Sequence, residues 1–496
     1  MIRAHSRIAI VGSGFAGLGL AIQLKQSGID DFTVFERADD VGGTWRDNTY
    51  PGAACDVPSL LYSFSFAPNP RWSSSFSPQD EIHDYLRRCA DDYAVRPHIR
   101  FGHELQAAQW DDAAGLWRLT TSQGEYTAQV LVGGFGGLSE PSIPDIEGLA
   151  SFQGTAFHSA RWNHGCDLRG RRVAVIGTGA SAIQFVPEIQ SQVGHLDVYQ
   201  RTPAWIVPRW DRKLTRIEQA VYRRFPALQR LVRAAIYWGR ETYAIAFMHH
   251  RQGHPSIPER LARKHLRMQV PDLALREKLT PDYAAGCKRM LISNDWYPAL
   301  AQPNVDLVTS GIRAVTERGI VDREGVERPA DVIVFGTGFH VTDMPFAQRV
   351  TGRDGRLLAD VWAGGAQALY GTTVAGFPNF FMLTGPNTGL GHTSMVFMME
   401  SQFAYVLDAL RTINRLGLAS VEPRVEAQEA FNAEVQARMP GTVWNSGGCQ
   451  SWYLDAQGRN TTLWPDFTWK FRLRTRRFAV GDYVLRRLDR VRQPAA

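Results

Sequence analysis

The chain reads as an α/β protein of two doubly wound units with a helical insertion, and three observations predict that class. A glycine-rich turn between a short apolar strand and an alanine- or leucine-rich stretch occurs twice, at Gly12 to Gly17 and at Gly177 to Ala182. Each turn is followed by a second apolar strand, so each copy is a strand–helix–strand unit. Between about residues 210 and 285 that rhythm gives way to apolar residues at helical spacing.

Taken in order, Arg7 to Val11 is a strand, Gly12-Ser13-Gly14-Phe15-Ala16-Gly17 turns into a helix ending near Gly28, and Asp31 to Phe35 is a strand closed by Glu36. Val130 to Val132 runs into Gly133, Gly134, Gly136, Gly137, Pro141 and Pro144, a natural crossing between domains. The pattern then recurs as the strand Arg172 to Ile176, the turn Gly177-Thr178-Gly179-Ala180-Ser181-Ala182, a helix to about Val193 and the strand Leu196 to Gln200. From Trp210 to Ala285, Val221, Phe225, Leu228, Leu231, Val232, Ala235 and Ile236 recur at helical spacing among arginines. This insertion is expected to pack its apolar face on the second domain rather than lie on a membrane surface. Asp331 to Phe339 is the return crossing, so the second unit is inserted within the first. The expected division is residues 1–145 (first domain, first part), 146–209 (second domain, first part), 210–285 (helical insertion), 286–342 (second domain, second part) and 343–496 (first domain, second part).

Composition narrows the function. At 496 residues the chain exceeds one compact core, and roughly 100 to 200 residues per domain predicts about three units. With 44% hydrophobic and 21% charged residues, order is expected up to Gln493 to Ala496. The net charge of +6 is spread along the chain and matches no nucleic-acid module, so no nucleic-acid partner is expected. The uncharged run Ile8 to Ile22 could pass for a secretory signal, but its glycine spacing explains it better, and no run reaches the ~18 apolar residues of a membrane span. Cys55, Cys89, Cys166, Cys287 and Cys449 form no close pair in sequence. Reduced thiols, a cytoplasmic location, and neither disulfide nor metal chemistry are therefore expected.

In the first turn Gly12 permits the tight bend, Gly14 admits a pyrophosphate, and Gly17 lets helix meet strand, while Glu36 is placed to accept hydrogen bonds from a ribose. This Rossmann-like site is assigned to FAD. In the second, Ala182 replaces the last glycine, and the following strand ends in Gln200-Arg201-Thr202, where an arginine suits a 2′-phosphate. With Lys288 as a second cation, this site is assigned to NADPH, held by Gly177, Thr178, Gly179, Ser181, Gln184, Arg201, Thr202 and Lys288. A flavin and a nicotinamide in one chain make an oxidoreductase.

Two further stretches carry a resemblance. Phe152-Gln153-Gly154-Thr155-Ala156-Phe157-His158-Ser159-Ala160-Arg161-Trp162-Asn163 fits F-x-G-x-x-x-H-x-x-x-W. Gly42-Gly43-Thr44-Trp45, Tyr50-Pro51-Gly52 and Asp56 fit G-G-x-W, Y-P-G and a following aspartate. The chain thus resembles the type I (class B) flavin-dependent Baeyer-Villiger monooxygenases of the flavin-containing monooxygenase superfamily, least across the insertion and the C-terminal end. The resemblance implies paired domains of glutathione-reductase type, FAD with Trp45 and Asp56 in its site, NADPH, O2 and a small apolar ketone. It implies a C4a-peroxyflavin whose anion attacks the carbonyl to give an ester or lactone. Arg289, in Gly286-Cys287-Lys288-Arg289-Met290, then looks like the active-site arginine, Asp56 its orienting carboxylate, Lys288 a phosphate-binding partner of Arg201, and Trp452 a residue at the nicotinamide ribose and substrate pocket.

A guanidinium stays charged at every working pH, which suits an anionic oxidant. His158 reads as a structural linker residue and His392 as part of a helix start near the flavin, neither of them catalytic. The chain departs from the pattern at Asn163 and over Leu454 to Asn460, a segment that shapes the pocket. The alternatives are oxygen transfer to sulfur or nitrogen, an uncoupled NADPH oxidase, a cofactor-binding regulator, and a flavin disulfide reductase, which the absence of a cysteine pair in sequence argues against.

Overall fold

The computed structural model describes residues 2–248 and 256–487, so Gln493 to Ala496 lie outside the described residues. The first sheet is built around β1 (Ile2–Val11), which pairs in parallel with β2 (Phe32–Phe35) and, across the chain, with Gly124–Gly133. Ile8, Ala9 and Ile10 are fully buried, as a parallel strand covered on both faces requires. Beyond β2 lies the short β3 (Ile99–Arg100); β4 (Leu105–Asp111), β5 (Leu116–Thr121) and β6 (Gly124–Gly133) form an antiparallel meander on the other side. β1 starts five residues before Arg7 because Ile2, Ala4, His5 and Ser6 also pair with β6, the last two despite their polarity.

The second sheet takes β7 (Thr155–His158), β8 (Arg172–Ile176), β9 (His195–Tyr199), β10 (Val305–Val308) and β11 (Val332–Phe335) in the order β10-β9-β8-β11-β7, all parallel. The chain then returns to the first sheet through β12 (Val350–Thr351) on β4 and β13 (Phe380–Met382) on β6. The strands of the second sheet thus lie in sequence between strands of the first.

Helix α1 (Phe15–Gln26) follows the first glycine turn, and α2 (Ala182–Gln190) the second. The insertion holds α3 (Arg216–Arg224), opened by a capping box between Thr215 and Glu218, then α4 (Pro226–Met248) and α5 (Ile257–Gln269). Helix α6 (Met395–Leu416) lies on α1, where bare Gly19 admits the Phe403 ring: a Cβ there would stand 2.6 Å from it.

The insertion corrects one expectation. Leu228 and Leu231 of α4 are 41% and 66% exposed, and Phe225 just before it is 57% exposed. The face that packs carries Gln229, Tyr237, Glu241, Ala244 and Phe247, and it packs on the first unit. Gln229 donates to the Asn69 carbonyl at 2.7 Å, Arg233 to the Leu60 and Leu61 carbonyls at 2.7 and 3.0 Å, and the Tyr237 ring stacks on Phe397 at 4.6 Å. Hydrogen-bonding side chains and an aromatic stack set the buried face here, which a count of aliphatic residues misses. α5 does pack on the second unit, through Leu266. No helix among the described residues is long and apolar enough to cross a membrane.

The tightest approach of a glycine to backbone in the first unit is at Gly17, where a Cβ would lie 1.9 Å from the Gly12 carbonyl oxygen and 3.2 Å from Ile10. Gly17→Ala is expected to destabilise the protein by about 1–3 kcal/mol, as overpacking against backbone does. Thermal melting together with the flavin content of the purified protein checks this; an unchanged melting temperature with full flavin would refute the packing argument.

Candidate active site

The first glycine turn forms a bare cradle. Gly12, at φ +93°, donates to the Phe35 carbonyl, and a Cβ on it would meet the Gly134 oxygen at 2.5 Å. Gly14 opens α1 opposite Gly43, 3.6 Å from where its Cβ would be, so bare backbone faces bare backbone at the helix N-terminus, where no side chain covers the first amides. Glu36 ends β2 4% exposed and accepts from the Ser13 amide at 2.9 Å, the Ser13 hydroxyl at 2.7 Å, Ala38 and Arg46. Burial pushes its carboxyl up, but Arg46 and these hydrogen bonds outweigh burial and hold it below its ordinary value. Trp45 donates its indole N–H to the Tyr62 hydroxyl at 3.0 Å and packs edge-on to that ring.

Buried polar atoms without a partner point to a polar ligand beside the start of α6. Among the described residues His392 Nδ1, Thr393 Oγ1 and Trp444 Nε1 find no hydrogen-bond partner, and the indole nitrogen lies 3.6 Å from where a Cβ on Gly391 would stand. Together with the Gly12–Gly14 cradle, this donor and acceptor set fits a flavin dinucleotide. Sequence reasoning missed Thr393 and Trp444; nothing in their spacing marks them.

At the second turn Gly177 has φ +111° and approaches Gly336, where a Cβ would be 2.4 Å from the carbonyl oxygen, whereas the space around Gly179 is open. Thr178 Oγ1 lies 3.5 Å from the Thr202 carbonyl, and Ser181 immediately precedes α2. Arg201 is exposed, and Lys288 sits over the Tyr283 ring at 5.1 Å. Burial and then the like charge of Arg201 push the Lys288 ammonium below its ordinary value. Two cations that repel each other at the end of a nucleotide cradle fit a phosphate group. Gln184 is engaged elsewhere: its amide oxygen accepts from Tyr50 at 3.0 Å and its amide nitrogen donates to the Ala54 carbonyl at 3.0 Å, stitching α2 to the first unit.

Between the cradles Arg289 grips Asp56. Nε donates to Oδ2 at 2.9 Å and Nη2 to both carboxylate oxygens at 2.7 Å, and among the described residues Nη1 makes no hydrogen bond. Arg289 is carried on a turn whose Gly286, at φ +98°, leaves room for the Phe247 ring, 2.5 Å from where a Cβ would stand. Asp56 raises the guanidinium's pKa against the opposing effect of burial; reciprocally, burial would raise the Asp56 carboxyl, and Arg289 reverses this to hold it below its usual range. Tyr453 is buried nearby with its hydroxyl pushed up to about 12, by burial first, with Arg289 pulling the other way. Arg240 of α4, unmarked in the sequence, adds a second guanidinium within electrostatic reach of Asp56.

Other residues take supporting positions. His158 is 3% exposed, accepts from the Ala160 amide at 3.1 Å and is pushed down to about 4, chiefly by burial, so its ring is neutral and structural. His392 Nε2 meets Glu241 of α4 at 3.3 Å, and Glu241 also accepts from Thr468. Trp452 is 44% exposed against Tyr453. An open cleft of about 480 Å³ runs between Tyr50–Ala54, Ser73–Asp80 and Glu188–Arg209–Asp211, beside the pair rather than over it.

One expectation fails outright. Cys287 and Cys449 are joined by a disulfide with Cα atoms 6.1 Å apart, 162 residues apart in sequence. Spacing along the chain shows only local pairs, whereas folding brings the Arg289 turn against the Gly447–Tyr453 segment, with Ala284 donating to the Gly447 carbonyl.

Comparison with known proteins gives the family. The model of the flavin-binding monooxygenase-like family matches residues 5–352. A Baeyer-Villiger monooxygenase of Streptomyces coelicolor is 53% identical over 487 residues, covering 98% of this chain and 94% of its own. One of Pseudomonas aeruginosa is 52% identical over 483 residues, covering 97% and 92%. Among solved structures, an oxidized steroid monooxygenase bound to NADP superposes with TM-score 0.85 at 30% identity, covering 97% of this chain and 99% of its own. OTEMO in complex with FAD and NADP superposes with TM-score 0.87 at 27% identity, covering 97% and 99%. The chain therefore belongs to the flavin-binding monooxygenase-like family, in its Baeyer-Villiger branch, as an oxidoreductase that works with FAD and NADPH.

Proposed function

We propose that this enzyme inserts one atom of O2 next to the carbonyl of a small apolar ketone to give an ester or lactone, with Arg289 as the catalytic cation and Asp56 as the residue that holds it. Bound FAD, reduced by NADPH, supplies the activated oxygen. The observation that carries the reading is the two-pronged Arg289–Asp56 grip with Nη1 left over. Asp56 fixes the plane of the guanidinium through Nε and Nη2, and Nη1 is then a preorganised donor for negative charge building on oxygen during attack on the carbonyl. Because Asp56 raises the guanidinium's pKa, the donor stays charged throughout the working range. Gly12, Gly14, Gly17, Glu36, Trp45 and Asp56 are proposed to hold FAD. Gly177, Thr178, Gly179, Ser181, Arg201, Thr202, Lys288 and Trp452 are proposed for NADPH, with Gln184 acting through the loop it fastens.

Arg289→Ala is expected to lower ester formation from a ketone panel, followed by gas chromatography, by about 10² to 10³, while NADPH oxidation by oxygen persists. Undiminished lactone would sink the role given to Arg289.

Arg201→Ala is expected to raise the KM for NADPH by roughly ten- to a hundredfold and leave that for NADH nearly unchanged, since a charge-assisted contact to phosphate contributes about 1.5–3 kcal/mol. Parallel steady-state titrations with both nucleotides check it, and an equal rise in the two constants would contradict it.

The depressed Asp56 carboxyl makes the pair's contribution fully present above the ordinary carboxylate range and lost as pH falls through the folded value. The pH profile of kcat/KM is thus expected to have no inflection from this pair above about pH 4, a limit set by the ordinary aspartate pKa. An inflection between pH 5 and 8 that disappears in Asp56→Asn would contradict it.

A further inference from the structure

We propose that the Cys287–Cys449 bond is a reversible redox site, opened by a dithiol, that controls how firmly the Gly447–Tyr453 segment is held against the Arg289 turn. This inference rests on the NADPH assignment for one of its readouts and on the bond's position for the rest.

The bond joins two segments that both border the active site. Cys287 is followed directly by Lys288 and Arg289, and Cys449 stands three residues before Trp452 and four before Tyr453. The two sulfurs differ in access: Cys287 is fully buried, whereas Cys449 is partly exposed between exposed Gly448 and Gln450. Attack by an external thiolate therefore falls on Cys449 Sγ. A bond forms between the dithiol's sulfur and Cys449, the Sγ–Sγ bond breaks, and its electron pair leaves with Cys287, which takes a proton. The second thiol of the dithiol then attacks its own sulfur and releases Cys449. In sum the dithiol loses two electrons and two protons and becomes a disulfide, and the two cysteines gain them.

With the bond cut, the hydrogen bond from Ala284 to the Gly447 carbonyl at 2.9 Å remains between the same segments. That hydrogen bond, the contacts of the Cys287 sulfur with the Trp444 and Cys449 carbonyls, and the packing of Cys287 under Gly447 hold the segment less tightly than a covalent link, so the reduced protein samples positions in which Tyr453 moves off Arg289 and Trp452 off the proposed nicotinamide side. The remaining cysteines, Cys55, Cys89 and Cys166, are unpaired, which makes the site countable.

The test uses the purified holoenzyme with and without dithiothreitol, alkylated in denaturant and weighed intact. The untreated protein is expected to take three alkyl groups and the reduced protein five. Amide exchange across residues 447–453 is expected to speed up on reduction. The KM for NADPH is expected to rise about three- to tenfold with a smaller change in kcat, as a shifted closed population produces, and to return on oxidation. Cys449→Ser is expected to behave as the reduced enzyme and to ignore dithiothreitol. Five alkyl groups on the untreated protein, or unchanged exchange after reduction, would overturn the proposal whatever the substrate proves to be. A KM in Cys449→Ser equal to that of the oxidised enzyme would overturn the control it is given over the site.

Discussion

The ion pair between Arg289 and Asp56 spans 233 residues of sequence and joins the two nucleotide units. Everything proposed for the chemistry depends on it, because neither unit alone owns the site. Asp56 belongs to a loop of the first unit, and Arg289 to a turn that leads into a strand of the second, where Leu291–Ile292 pairs with Ile206–Val207. Bidentate geometry fixes direction as well as charge, so small rotations of one unit against the other would be felt at the guanidinium. The contacts of Gln184 with Tyr50 and Ala54 lie on the same seam and keep those units in register.

The insertion supports that seam from outside. Helix α4 buries a carboxylate, Glu241, against His392 and Thr468, and places Arg240 near Asp56 one residue earlier. Burying a carboxylate costs stability unless its oxygens are satisfied, and here Thr468 and His392 satisfy them. The result is a helix whose inner face mixes polar Gln229 and Glu241 with Tyr237, Ala244 and Phe247, while Leu228 and Leu231 face outward. Such a helix is located by its partners, and its rotation about its own axis is fixed by hydrogen bonds more than by hydrophobic area.

Legibility in the sequence follows the range of the interactions. The glycine turns were readable because Gly12, Gly17 and Gly177 answer to backbone contacts that any dinucleotide cradle imposes. The two glycine- and proline-rich crossings suggested that the second unit is inserted within the first, but strand order was not legible, because it is set by pairings between distant segments. Arg289 and Asp56 were marked only by motif resemblance, since an ion pair across 233 residues leaves no periodicity. The rotation of α4 was misread because exposed Leu228 and Leu231 look like a core face until Tyr237 and Arg233 are seen to find partners. The Cys287–Cys449 bond was misread for the same reason: proximity in space came from docking segments that no local pattern connects.

The turn Gly286–Met290 carries residues proposed for both cofactor sites. Lys288 and Arg289 are adjacent, yet Lys288 lies over Tyr283 beside Arg201, and Arg289 bonds Asp56. Consecutive side chains leave a non-helical backbone on different sides, so one turn sends one cation toward the proposed phosphate end and the next toward the proposed flavin side. Moving either charge by a single residue would exchange their surroundings, putting a strongly hydrated ammonium where a planar fork is required. The positive φ of Gly286 and the packing of Cys287 beneath Gly447 fix the register from which this alternation starts. The order of those two cations is therefore a structural requirement of a site shared between two domains, and it explains why the turn is pinned from both sides.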